Sequence, residues 1–155
     1  MSPITAVAER SAVDVSNMTL QAIMKDPELL AALRVFAAKE FAEENVFFIE
    51  DVLALKETQD RHRIKELVAE YCSPEAIMEI NISASERTKI VNRVDKAVEE
   101  GDMTLFDGAL DEVMQLISST VLLRFRENFG KVTRDHELYA AARPWAAFLL
   151  TLSRA

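Results

Sequence analysis

Apolar positions recur at intervals of three and four along nearly the whole chain, the period of one helix face, and only three glycines and four prolines interrupt it. The pattern predicts an all-α fold. After a loose leader to about Ser16, MTLQAIM predicts a short helix. DPELLAALRVFAAKEFA carries a stronger start signal: the Asp26 carboxylate can accept from the first free backbone N–H groups, and Pro27 has the fixed φ of a first helical residue. A third helix is expected from about Glu43 to Glu57, with Phe41, Phe48 and Val52 facing a core. RHRIKELVAEYC predicts a fourth, followed by a brief helix over SPEAIME, which again starts with a cap and a proline, and then by INIS. In SASERTKIVNRVDKAVEEG, serine caps precede Ile90, Val94 and Val98, and Gly101 supplies a stop. Another long helix, from about Leu105 to Ser118, leads into STVLLRFRENFGK, which Gly130 closes. The tail HELYAAARPWAAFLLTLSRA is apolar enough to pack back on a bundle, with Pro144 breaking or opening a helix. The expectation is a bundle of about eight to nine helices, with a leader over 1–17, a helical domain over 18–130 and a C-terminal helical tail over 131–155.

One residue sits badly in this pattern. In FAEENVFFIE, Asn45 follows Glu43 and Glu44 inside the third helix. Asparagine is a poor helix-interior residue, because its amide competes for backbone hydrogen bonds. Asn45 could cap the turn between two helices, and Asn81 could cap the helix starting near Ser83.

Composition narrows the function classes. A chain of 155 residues with a formal charge of −8 is sized for one domain and poorly suited to nucleic acid or anionic membrane, which require clustered Lys and Arg. The single cysteine, Cys72, leaves no internal disulfide framework and reads as a structural residue in a reducing compartment. MSPITAVAER has no basic segment followed by an apolar run, so no secretory signal is expected. The longest uncharged stretches, Val113 to Leu123 and Pro144 to Ser153, fall short of the ~20 residues that span a bilayer. These features predict a cytoplasmic protein without an integral membrane segment.

Catalytic chemistry is equally sparse. The glycines stand alone at 101, 108 and 130, so no phosphate-cradling loop is expected. His62 and His136 lack a Cys or His at ligand spacing, and no Glu-x-x-His pair accompanies the carboxylates at Glu43, Glu44, Glu50 and Asp51. No metal, no cofactor and no catalytic residue is expected. The inventory points to a binding domain rather than an enzyme.

Three segments, in order and with matching spacing, resemble the regulator of G-protein signalling (RGS) family. FAAKEFAEENVFFIEDVLALKE is similar to that family's helix pair with its Glu-Glu-Asn turn. SPEAIMEINIS resembles its Glu-x-Asn element, and FDGALDEVMQLISSTVLLRFREN resembles its Phe-Asp helix and the Arg-Phe segment that follows. The resemblance covers about Met18 to Phe129. It implies a GTPase-activating protein that binds the switch regions of a heterotrimeric G-protein α subunit (Gα) in its GTP or transition-state form. Such a protein contributes no catalytic group and holds in place the arginine and glutamine that Gα already owns. It would act in the cytoplasm, recruited through Gα to the inner face of the plasma membrane. The contact residues implied are Glu44, Asn45, Glu79, Asn81, Leu116, Thr120, Val121 and Arg124. A neutral amide suits this task because it donates and accepts without placing a charge beside the γ-phosphate.

The last segment departs from the family pattern. Where the family has Asp-Ser, with an arginine four residues after the aspartate, this chain has Thr120 and Val121 before Arg124. Arg124 therefore lacks an acidic partner one turn earlier in its own helix. The alternative is an RGS-homology scaffold or interaction domain without GTPase-activating activity. Exposure of Val121 and Leu122 discriminates the two, since an exposed apolar patch would favour a different partner.

Overall fold

A computed structural model describes residues 12–129 and 131–133. Over this range the fold is all-α, with seven α-helices among the described residues against the eight to nine expected for the whole chain. The first, α1 (Leu20–Met24), begins where the Thr19 hydroxyl accepts from the Ala22 N–H. Asp26 opens α2 (Pro27–Lys39) as expected, its carboxylate accepting from the N–H groups of Glu28 and Leu29 at 3.0 and 3.2 Å. Next come α3 (Glu43–Thr58) and α4 (Arg61–Leu67), the latter capped by Asp60 and running on into a wider π turn over Val68–Cys72. Ser83 caps α5 (Ala84–Glu100), and Gly101 ends it at φ +66°, a left-handed conformation that costs glycine nothing. The last two helices are α6 (Asp107–Ser119) and α7 (Val121–Phe129).

Three details differ from the sequence reading. Within the stretch read as a leader, Ala12–Asp14 forms a short strand, β1, paired antiparallel with β2 (Lys131–Thr133) in the register Val13 opposite Val132. SPEAIME is a pair of turns rather than a helix. Ser73 is already extended at ψ 155°, as a residue before proline prefers, and the chain then folds back to satisfy the helix end it has just left. The N–H groups of Met78 and Ile80 donate to the carbonyls of Glu70 and Tyr71. Phe41, expected in a core, is 91% exposed; it lies between α2 and α3 with φ +56°, so its side chain leaves the direction that helical periodicity assigned to it. The C-terminal tail beyond residue 133 and His136 lie outside the described residues.

The described residues divide into two compact units. In the first, residues 12–43 and 118–133, the apolar face of α2 supplies Leu29, Leu33 and Phe36, and α7 supplies Phe125. Phe36 and Phe125 meet edge to face, with ring centroids 5.7 Å apart. The second unit, Glu44–Ile117, is organised around Phe48, whose ring stands edge-on to Tyr71 at 5.4 Å and to Phe106 at 6.1 Å. Lys56 reaches Asp107 at 2.5 Å, tying α3 to the start of α6.

Two buried groups of the second unit carry displaced proton affinities. The Tyr71 hydroxyl donates to Asp51 at 2.5 Å, and burial together with that carboxylate raises the phenol well above its ordinary value. Cys72 is fully buried, and burial pushes its thiol up to about 12. That agrees with a packing role for this cysteine.

Candidate functional site

The second unit holds five of the eight expected contact residues: Glu44, Asn45, Glu79, Asn81 and Leu116. Glu43 and Glu44 open α3, where their carboxylates suit the positive end of the helix dipole. Asn45 follows in the same first turn and is only 4% exposed, the one buried polar residue among those described. Its amide nitrogen donates to Glu44 Oε1 at 3.3 Å. Its carbonyl oxygen accepts nothing from the described residues. Asn45 is therefore not a cap: a capping side chain accepts from backbone N–H groups, and this one does not.

Glu79 and Asn81 lie on the irregular stretch between Ser73 and Ser83, which is held by more than its own turns. Arg87, on α5, donates to the carbonyls of Cys72 and Ile80, both at 2.8 Å, and lies 3.4 Å from the Glu79 carboxylate. One planar guanidinium thus fixes both ends of the segment. Ile80 and Ile82 turn inward as anchors, and Asn81 between them faces solvent. Asn81 does not cap α5 either. Ser83 does so, its hydroxyl accepting from the Glu86 N–H at 3.2 Å while its own N–H and O–H donate to Glu112 at 2.8 and 2.7 Å. Leu116, on α6, is half-buried.

The first unit holds the remaining three, Thr120, Val121 and Arg124, around the start of α7. Val121 and Leu122 are 2% and 1% exposed. The VLL run therefore presents only Leu123 to solvent, and no patch forms from the other two. Thr120 is half-buried, and its carbonyl accepts the Arg124 backbone N–H at 3.3 Å. The Arg124 guanidinium is not left without an acid. Its Nε lies 2.9 Å from Glu40 Oε2, an ion pair with the residue that follows α2.

Sequence reasoning missed Glu40, Phe41 and Arg87. Glu40 had a signal: an acid at a helix C-terminus opposes the macrodipole and calls for a compensating cation. Phe41 had none, because only a glycine or asparagine would have marked the left-handed position. Arg87 sits one turn after the Ser83 cap, where a side chain reaches back over the preceding segment, but nothing in the sequence names the carbonyls it meets.

Among the described residues no group of His, Cys, Asp and Glu could hold a metal ion, and no helix is long and apolar enough to cross a membrane. The second unit offers hydrogen-bonding amides and carboxylates, and the first an arginine. Those are the means of binding another macromolecule.

Regulator of G-protein signaling 10 from Mus musculus is 29% identical over 125 residues, covering 77% of this chain and 66% of that protein. The protein of the same name from Homo sapiens is 29% identical over the same coverage, and that from Rattus norvegicus 27%. The chain thus spans 66% of the length of these curated relatives. The family model described as the regulator of G protein signaling domain matches residues 19–128, which includes every element from α1 through most of α7 and all eight positions expected to make contact. That match extends over more than half of the sequence, and the chain belongs to the regulator of G protein signaling family.

Proposed function

We propose that this chain is a GTPase-activating protein for a heterotrimeric G-protein α subunit. It engages the switch regions through Glu44, Asn45, Glu79, Asn81, Leu116, Thr120, Val121 and Arg124. Val121 contributes backbone rather than side chain, since its side chain is buried. The chain brings no acid, base or nucleophile to the reaction. It acts by holding the arginine and glutamine of Gα where charge develops on the transferring phosphoryl group, which lowers the barrier without new chemistry. Binding of Gα would bring the protein to the inner face of the plasma membrane.

The observation that carries this reading is that neither asparagine side chain caps a helix, and that the Asn45 carbonyl has no donor among the described residues. The capping task near Asn81 belongs to Ser83. Leaving a buried acceptor unpaired costs on the order of 1–3 kcal/mol, a cost that a partner's donor would offset. The scaffold alternative drew on an exposed VLL patch, and the burial of Val121 and Leu122 removes that support.

The test is capture of Gα loaded with GDP alone, with GDP and aluminium fluoride, or with a non-hydrolysable GTP analogue, together with single-turnover GTP hydrolysis. Tightest binding is expected in the aluminium fluoride state, which mimics the transferring phosphoryl group, and hydrolysis should accelerate. Equal affinity for all three states, with no acceleration, returns the chain to the scaffold reading. Asn81→Ala should lower the acceleration without changing helical content.

A further inference from the structure

Asn81 faces solvent, so its place is set by the backbone on either side of it. On the leading side Ile80 is buried, its N–H donates to the Tyr71 carbonyl at 3.1 Å, and its own carbonyl accepts from Arg87 at 2.8 Å. On the trailing side the hold passes to another helix. The N–H and O–H of Ser83, two residues after Asn81, donate to the two carboxylate oxygens of Glu112 on α6, at 2.8 and 2.7 Å. The Ser83 hydroxyl also accepts from the Glu86 N–H, so one residue caps α5 and fastens its start to α6. Hydrogen bonds to a carboxylate are charge-assisted, and two of them from one residue fix direction as well as distance.

Glu112 stands one turn before Leu116 on α6, and residues four apart share a face of a helix. The carboxylate that holds the far end of the Asn81 segment therefore belongs to the same helix face as Leu116. A second close approach supports the link. One turn before Glu112, Gly108 receives the Glu86 carboxylate at a place where a Cβ would collide with it, so the starts of α5 and α6 meet with no side chain of α6 between them.

We infer that Glu112 is a positioning residue, which through Ser83 fixes Asn81 relative to Leu116 before a partner binds. The benefit is preorganisation, since a contact segment already fixed loses less freedom on association. This rests on the reading of the chain as a Gα-binding protein, and the two arms of the experiment separate the inference from that reading.

The first arm uses the free protein. The Ser83 backbone amide should exchange with solvent about tenfold faster in Glu112→Ala than in the parent. Glu112→Gln, whose carbonyl can still accept and whose amide can still donate, should keep most of the protection. The second arm measures affinity for Gα carrying GDP and aluminium fluoride. Glu112→Ala should weaken binding about tenfold and Glu112→Gln by no more than about twofold. In an Asn81→Ala background, Glu112→Ala should cost little further, because it acts through that residue; a residue serving stability alone would weaken both backgrounds equally. Ser83→Gly reaches the same link from its other side, since glycine serves almost as well at an N-cap and deletes only the hydroxyl, and it should weaken binding about threefold with helical content unchanged. Unchanged Ser83 exchange in Glu112→Ala overturns the inference, as does an equal loss of affinity with and without the Asn81 side chain, or unchanged affinity in Ser83→Gly. A parent that binds all nucleotide states of Gα alike overturns the Gα reading instead, and the exchange arm then decides by itself whether Glu112 fixes the segment.

Discussion

Asn45→Ala separates folding from function most cleanly. The substitution removes an amide that is 4% exposed, whose nitrogen makes one long bond to Glu44 at 3.3 Å and whose oxygen has no partner among the described residues. Relief of the unpaired carbonyl is worth about 1–3 kcal/mol, and alanine's better helix propensity adds roughly 0.5 kcal/mol. Against this stand the lost bond, about 0.5–1 kcal/mol, and the packing of the deleted atoms, about 1–2 kcal/mol. The two sides nearly cancel. Stability should stay within about 1 kcal/mol of the parent, a shift in Tm of roughly 2–4 °C for a chain of this size. An ordinary buried, fully bonded asparagine would lose several times that. Acceleration of GTP hydrolysis should fall by about 10- to 150-fold, the worth of one hydrogen bond at a desolvated interface. The assays are thermal unfolding followed by circular dichroism and single-turnover hydrolysis with one Gα preparation. Loss of helicity with a fall in Tm beyond about 8 °C would refute the argument, since the carbonyl would then be paired in the folded protein. Unchanged acceleration at an unchanged Tm would refute it from the other side.

The remaining predictions use the same separation. Phe41→Gly removes about 1–2 kcal/mol of left-handed strain against roughly 0.5–1 kcal/mol of added chain entropy, so Tm should hold or rise slightly, and a clear fall in Tm would mean that the Phe41 backbone carries no such strain. Tyr71→Phe deletes the bond to Asp51 and should cost about 1–2 kcal/mol in chemical denaturation with acceleration intact, and a stability equal to the parent's would mean that solvent already satisfies Asp51. Cys72, raised from 9.0 to about 12 by burial, binds its proton more tightly folded than unfolded. Its contribution is therefore complete below pH 9 and is lost as pH rises through 12, with Tyr71 acting in the same direction above pH 10, so Tm should be flat to about pH 9 and then decline. A thiol reagent at pH 8 should modify Cys72 only at the rate of unfolding, and immediate modification would contradict the burial.

What the sequence determined by itself was mostly local. Helix starts at Asp26 and Ser83, the stop at Gly101 and the apolar faces of α2, α3 and α6 follow from cap chemistry and a 3.6-residue period, both of which act within one or two turns. The family itself was legible for a related reason, because three short motifs kept their order and spacing along the chain. The tertiary structure decided whatever depends on residues distant in sequence. SPEAIME has a helix-start signature, yet the preceding helix end required donors, and Met78 and Ile80 supplied them by folding back. Phe41 fits an apolar rhythm, but the turn into α3 takes it through left-handed backbone and out into solvent. Val121 and Leu122 read equally well as patch or core until packing buried them. Most of all, Arg124 has no acid one turn earlier, and periodicity does not see partners in other helices. Its partner, Glu40, is eighty-four residues earlier, and a charge pair of that separation exists only once α2 and α7 lie side by side.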